Sequence, residues 1–71
     1  MEIEAERVAR AFKKFKTSLN ERERDVIMRY YGIDTSVRHT LKEIGAIYQV
    51  TRERIRQIKV VALQKLKVTK K

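Results

Sequence analysis

The 71-residue chain has no cysteine, no proline and no tryptophan, and only two glycines. Without cysteine there is neither a disulfide staple nor a thiolate metal site. With so little proline and glycine, turn-rich β architectures lose their usual punctuation, while abundant Glu, Lys, Arg, Leu, Ile and Val favour helices joined by tight turns. Apolar runs are short as well. The longest, Val60 to Leu63, cannot span a bilayer, and the N-terminus lacks the basic-then-apolar form of a signal sequence. Catalytic groups are equally sparse. His39 stands beside a helix cap with no cysteine to pair with, and Glu21, Glu23 and Asp25 alternate with arginine in the opening turns of a helix, where carboxylates cap and compensate the dipole. A non-enzymatic cytoplasmic chain is expected, with no membrane contact, no cofactor and no metal. A chain this small hides only about 60% of its unfolded surface, so one core in one domain over residues 1–71 is anticipated.

What the chain has in excess is positive charge, and its placement is uneven. Residues 1–37 carry 8 basic and 7 acidic side chains, whereas residues 38–71 carry 10 basic and 2 acidic, so net charges of +1 and +8 make up the total of +9. A second half so basic implies a polyanionic partner. Nucleic acid is favoured over an anionic membrane because the helices of that half lack an exposed aromatic stripe.

Periodicity divides the chain into four helices. Between Ile3 and Phe15, Val8, Ala11, Phe12 and Phe15, followed by Leu19, recur at three- and four-residue steps among charged residues. Asn20 and Glu23 form a capping-box pair ahead of a second helix with Val26, Ile27 and Tyr30 inward, and Gly32 is placed to end it. Residues 33–39 show no period and read as a loop. Thr40 and Glu43 repeat the capping pattern before a short third helix whose buried face is Leu41, Ile44, Ile47 and Tyr48. Thr51 caps a fourth, with Ile55, Ile58, Ala62 and Leu66 as its inward stripe. The residues after Val68 form a short basic tail. The fold class expected is all-α, a small four-helix domain with a C-terminal helix-turn-helix over about residues 40–67.

A short helix, a tight turn and a second helix set across the first is the arrangement that carries the second helix into a DNA major groove. Gly45 supplies a small residue where the two helices meet, Val50 fills the turn, and Ile44, Ile55 and Ile58 hold the pair. Gln49 stands where the turn favours a residue of positive φ, a position suited to glycine. At about 100° per residue, Glu53, Arg56, Gln57, Val60 and Gln64 project away from the apolar stripe, with Arg52 beside them. Arginine and glutamine make paired hydrogen bonds to guanine and adenine edges, and glutamate accepts from the cytosine amino group. Arg52, Glu53, Arg56 and Gln57 are therefore the candidate base readers. Arg54, Lys59, Lys65 and Lys67 flank them as candidate phosphate contacts.

These residues also resemble a known family. The segment Val50 to Ile58 (VTRERIRQI) is similar to the recognition helix of region 4 of sigma-70 family transcription initiation factors, and Leu63 to Lys67 resembles its continuation. Upstream, LNERERDVI from Leu19, RYYGID from Arg29 and TLKEIG from Thr40 match the other blocks of that region in order and spacing. The resemblance implies a domain that reads the minus-35 element of double-stranded promoter DNA while docked on the flap of the RNA polymerase β subunit. It assigns base reading to Arg52, Glu53, Arg56 and Gln57, and phosphate contacts to Arg22, Thr40 and Arg54; Lys59 is a phosphate candidate from the charge pattern alone. It makes the surface around Val8, Phe12, Val26, Ile27 and Tyr30 the candidate cradle for the flap-tip helix. A monomer is expected, with an anti-sigma or activator protein as a further partner. Departures from the common pattern fall at Tyr30 and Lys59, where the family often has Arg and Glu, and at Val61 and Gln64, where Lys and Arg are usual. The family's His-Pro-Ser-Arg tail is absent. The later helix positions are those through which the family meets upstream activators. The alternative reading is an adaptor that docks on polymerase and leaves DNA sequence unread.

Overall fold

The computed structural model describes residues 3–35 and 37–68, with side chains from Ala5 onward. Four α-helices follow in order: α1 (Ile3–Phe15), α2 (Glu21–Tyr31), α3 (Leu41–Tyr48) and α4 (Arg52–Lys65). There is no strand among the described residues. The basic tail beyond Val68 lies outside them.

Helices α2, α3 and α4 begin where their local chemistry directs. Asn20 and Glu23 form a reciprocal capping box, with bonds of 2.8 and 3.0 Å. Thr40 and Glu43 form a second at 3.1 and 2.9 Å, and the Thr51 hydroxyl accepts from the Arg54 N–H at 3.1 Å. Each cap satisfies amides that the first helical turn leaves without partners. Gly32 closes α2 at φ 69°, and the following Ile33 N–H donates to the Met28 carbonyl at 3.0 Å. That closure folds Ile33 into the core at 5% exposure, although it belongs to a stretch without periodicity. The period of α1 runs on to Leu19, but the helix stops at Phe15, and Lys16–Ser18 form a 3₁₀ turn. Arg24 fastens this turn by donating to the Leu19 carbonyl at 2.6 Å.

Two apolar clusters make the core. Val8, Phe12, Leu19, Ile27, Ile33, Ala62 and Leu66 form one, joining α1 to the later part of α4. Val26, Ile44, Ile55 and Ile58 form the other, beneath α3 and the start of α4. The α4 stripe thus contributes to both. A 14-residue helix is marginal alone in water. Burial of Ile55, Ile58 and Leu66, at roughly 1.5–3 kcal/mol per large side chain, is what holds it against the rest. One expected core residue is not in the core: Ile47 is 48% exposed. An eight-residue helix packed on α2 and α4 from one side covers a narrow stripe, here Leu41, Ile44 and Tyr48. Ile47 lies on its uncovered flank.

Candidate nucleic-acid interface

Between α3 and α4 the chain turns in three residues, Gln49 to Thr51. Gln49 takes the left-handed conformation at φ 60°, so the turn does require a positive φ, and a non-glycine residue supplies it. The Val50 N–H donates to the Gly45 carbonyl at 2.9 Å, drawing the turn back over α3. A Cβ on Gly45 would lie 2.7 Å from the Val50 carbonyl oxygen, closer than real atoms approach. Glycine is what permits this approach, and with it the crossing of α4 over α3. Val50 itself packs against the second cluster.

Held by that crossing, the first two turns of α4 bury Ile55 and Ile58 and turn Arg52, Glu53, Arg56 and Gln57 to solvent. All four candidate base readers therefore share one exposed face. Two of them are already joined: the Arg56 guanidinium meets the Glu53 carboxylate through both arms, at 2.6 and 3.0 Å. The bond from Arg56 holds the Glu53 carboxyl below the ordinary carboxylate range, and the Arg56 guanidinium is raised in return. Glu53 thus stays an acceptor at neutral pH, and its partner presents a planar donor edge beside it.

Flanking α4 are two shallow hollows. In one, of about 530 Å³, Arg22 from the start of α2 stands with Arg54 of α4. The Arg22 guanidinium also lies 4.9 Å from the centre of the Tyr48 ring. In the other, of about 500 Å³, Thr40 and Arg52 are brought together with Arg38 and Lys42. Arg38 and Lys42 are additional candidates for a polyanion. Their signal in the sequence is a basic residue on either side of the Thr40 helix start, where partly positive amides already favour anions.

Lys59 and Lys65 are placed differently from the rest. Lys65 reaches across to α2 and binds both Glu23 carboxylate oxygens at 3.0 Å, so its charge is engaged inside the fold. Burial works to raise the Glu23 carboxyl, but the Asn20 N–H and the Lys65 ammonium outweigh it and hold it below its ordinary value. Lys59 is half-buried, with its ammonium 4.4 Å above the Tyr30 ring. These are two of the positions at which the chain departs from the sigma-70 pattern, and they touch. In this structure both lysines, expected as phosphate contacts, have partners inside the fold, Lys65 on Glu23 and Lys59 over Tyr30. Lys67 is exposed at the far end of α4. A further network ties α2 to α3: Asp25 accepts from Arg29 at 2.8 Å and from the Tyr48 hydroxyl. Burial pushes Asp25 up, but these two bonds overcome it and keep the carboxyl below its usual range.

Four of the five residues expected to form a cradle for a partner helix lie in the core. Val8, Phe12, Val26 and Ile27 are at most 3% exposed and belong to the core clusters. Apolar side chains at helical spacing satisfy the protein's own interior first. Of the five, only Tyr30 is half-exposed, and it packs edge-on against Tyr31 with ring centres 4.9 Å apart.

Comparison with known proteins agrees with this geometry. The pattern of Sigma-70, region 4 matches residues 17–68, which include every helix except α1. The chain is 56% identical over 54 residues to RNA polymerase sigma factor SigA of a Nostoc species, covering 76% of this chain and 14% of that protein. It is 56% identical over 50 residues to SigA of a Synechocystis species, covering 70% and 12%. Against RNA polymerase sigma factor RpoD of Neisseria gonorrhoeae it is 49% identical over 55 residues, covering 78% and 9%. The chain therefore spans a seventh or less of the length of these relatives. With most of its length matched and its helix-turn-helix in place, the chain belongs to the Sigma-70, region 4 family.

Proposed function

We propose that this chain recognises a short promoter element in bacterial transcription initiation, reading base edges in the major groove through Arg52, Glu53, Arg56 and Gln57. One observation carries the reading: four side chains suited to base edges stand together on the exposed face of the opening turns of a helix that a helix-turn-helix holds in place. Arg22 with Arg54 on one side, and Thr40 with Arg52 on the other, line hollows flanking that helix. Phosphate contacts there would fix its register without reading sequence. The remaining roles belong to the same proposal. The chain acts in the cytoplasm as a non-enzymatic monomer attached to the flap of the RNA polymerase β subunit, and it meets anti-sigma or activator proteins as a sigma factor does. Tyr30 is the member of the expected cradle that reaches the surface. Among the described residues no helix is long and apolar enough to cross a membrane.

Selection of preferred duplexes from a random pool tests the proposal. Enrichment of one short consensus is expected. A pool that remains random after repeated selection, with the chain folded, would overturn base reading and leave the adaptor role.

A further inference from the structure

The exposed face of α4 changes character in its third turn. Arg52, Glu53, Arg56 and Gln57 occupy the first two turns, and one turn beyond the last pair stand Val60 and Val61. Val60 follows Arg56 at four residues and Val61 follows Gln57 at four, so the apolar pair prolongs the same two rows along the helix. Val61 is 43% exposed, and Val60 is half-buried. Among the described residues, neither belongs to the two apolar clusters of the core. Local preference does not explain them either, because a β-branched side chain is a poorer helix former than the Arg, Gln and Lys around it. Val61 also stands where the sigma-70 pattern usually has Lys, so a cation has given way to a pair of methyl groups. Core packing and helix propensity therefore leave an apolar pair unaccounted for on the base-reading face.

We infer that Val60 and Val61 form an apolar step that reads the 5-methyl group of thymine. The inference rests on base reading by α4 and deepens it. Thymine is the base whose major-groove edge carries a methyl group, and an apolar side chain is what recognises it there. The step has a defined place in the site. Four residues advance the helix by about 6 Å, whereas base pairs follow one another at about 3.4 Å. The thymine therefore lies one or two base pairs beyond those that Arg56 and Gln57 contact. Gln64, exposed a turn later, ends the apolar step. A protein partner fits less well, because the anchors of protein interfaces are enriched in Trp, Tyr and Arg and depleted in Val.

Parallel selection from two random duplex pools tests this, one built with thymine and the other with deoxyuridine, which lacks only the methyl group. The thymine pool is expected to enrich a consensus carrying a thymine one or two base pairs outside the pairs whose preference Gln57→Ala alters. The deoxyuridine pool should enrich the same consensus with that one position left open. In competition on the selected duplex, deoxyuridine in place of that thymine should weaken binding of the parent by about fourfold, the effect of one methyl-sized group taken out of water. The paired variant Val60→Ser/Val61→Ser should bind the two duplexes equally. Serine has nearly the helix propensity of valine, so an unchanged circular dichroism spectrum is expected. If the paired variant does not fold, the exposed Val61→Ser supplies the same reading, with the fourfold preference reduced to about twofold. An identical consensus from both pools, or a methyl preference that survives in the serine variants, would overturn the inference and leave base reading by Arg52, Glu53, Arg56 and Gln57 standing. Two pools that both remain random would overturn the inference and base reading together.

Discussion

Gly45→Ala isolates the close approach on which the helix-turn-helix depends. The added Cβ would meet the Val50 carbonyl oxygen at 2.7 Å, the Thr51 carbonyl carbon at 3.3 Å and the Arg52 nitrogen at 3.4 Å. All three are backbone atoms, and the Val50 N–H bond to the Gly45 carbonyl holds them in place. Relief therefore requires moving the turn, and with it the start of α4. Forcing one methyl group into a closed contact costs about 1–3 kcal/mol. Replacing glycine by alanine inside a helix returns about 1 kcal/mol. The net expectation is a loss of about 1 kcal/mol, or about 4–8 °C in melting temperature for a chain of this length. Ala46→Gly, at an exposed neighbour in the same helix, calibrates the propensity effect separately. Duplex binding should weaken as well, although no side chain of the α4 face has changed. Thermal and urea unfolding followed by circular dichroism give the stabilities, and fluorescence anisotropy gives the affinity. A Gly45→Ala chain as stable as the parent, with its affinity intact, would refute the claim that this contact sets the crossing of α3 and α4.

Three other perturbations act on the turn and on the two carboxylate networks. Gln49→Gly removes the left-handed strain at the turn and should raise stability by about 0.5–1 kcal/mol in urea unfolding, since the observed φ of 60° suits glycine. Glu23→Gln keeps an acceptor for the Asn20 N–H but breaks the bond to Lys65, at an expected cost of about 1 kcal/mol at neutral pH given the half-exposed lysine. Because the folded-state pKa of Glu23 is lowered, its contribution is present above the ordinary value of 4.5 and is lost as pH falls through the folded value. The gap between parent and variant in pH-dependent unfolding should therefore close under acid. The Tyr48 phenol, pushed up to about 12 by burial and by the Asp25 carboxylate, should ionise late in a spectrophotometric titration. Its stabilising bond should persist below pH 10 and fade as pH rises through about 12, and Tyr48→Phe should abolish the late step.

The helix starts were legible because their determinants are local: Asn20 with Glu23, Thr40 with Glu43, and Thr51 each act within one turn of chain. The inward stripe of α4 was legible for a similar reason, since four apolar residues at regular spacing define a face without reference to any neighbour. That spacing also identified Arg52, Glu53, Arg56 and Gln57 as sharing the opposite side. What could not be read depends on which element covers which. Periodicity marks Ile47 as apolar but does not reveal that α3 is covered on one flank only. It marks Val8, Phe12, Val26 and Ile27 as inward without telling a closed core from an open cradle. Lys65 and Glu23 are 42 residues apart, so nothing near either one announces their bond. Lys59 likewise finds Tyr30 only after α2 and α4 are packed. Ile33 enters the core because Gly32 reverses the chain beneath it, a consequence of turn geometry that no hydrophobic period records.

Base reading by α4 is tested most directly by competitive binding of Glu53→Ala and Gln57→Ala against the selected duplex and each of its single-base-pair substitutions. Alanine is at least as good a helix former as either residue, so α4 itself is not weakened. Glu53→Ala also releases Arg56 from its bidentate partner, so its effect is expected to extend to the base pair that Arg56 contacts. Each variant should lose roughly 1–3 kcal/mol at the preferred site and become indifferent to the base pair its side chain had read. Arg54→Ala serves as the contrast: removing one phosphate contact should weaken every duplex alike and reduce the slope of log affinity against log salt by about one. If Glu53→Ala and Gln57→Ala preserve the parent's rank order of duplexes, α4 does not read bases through this face.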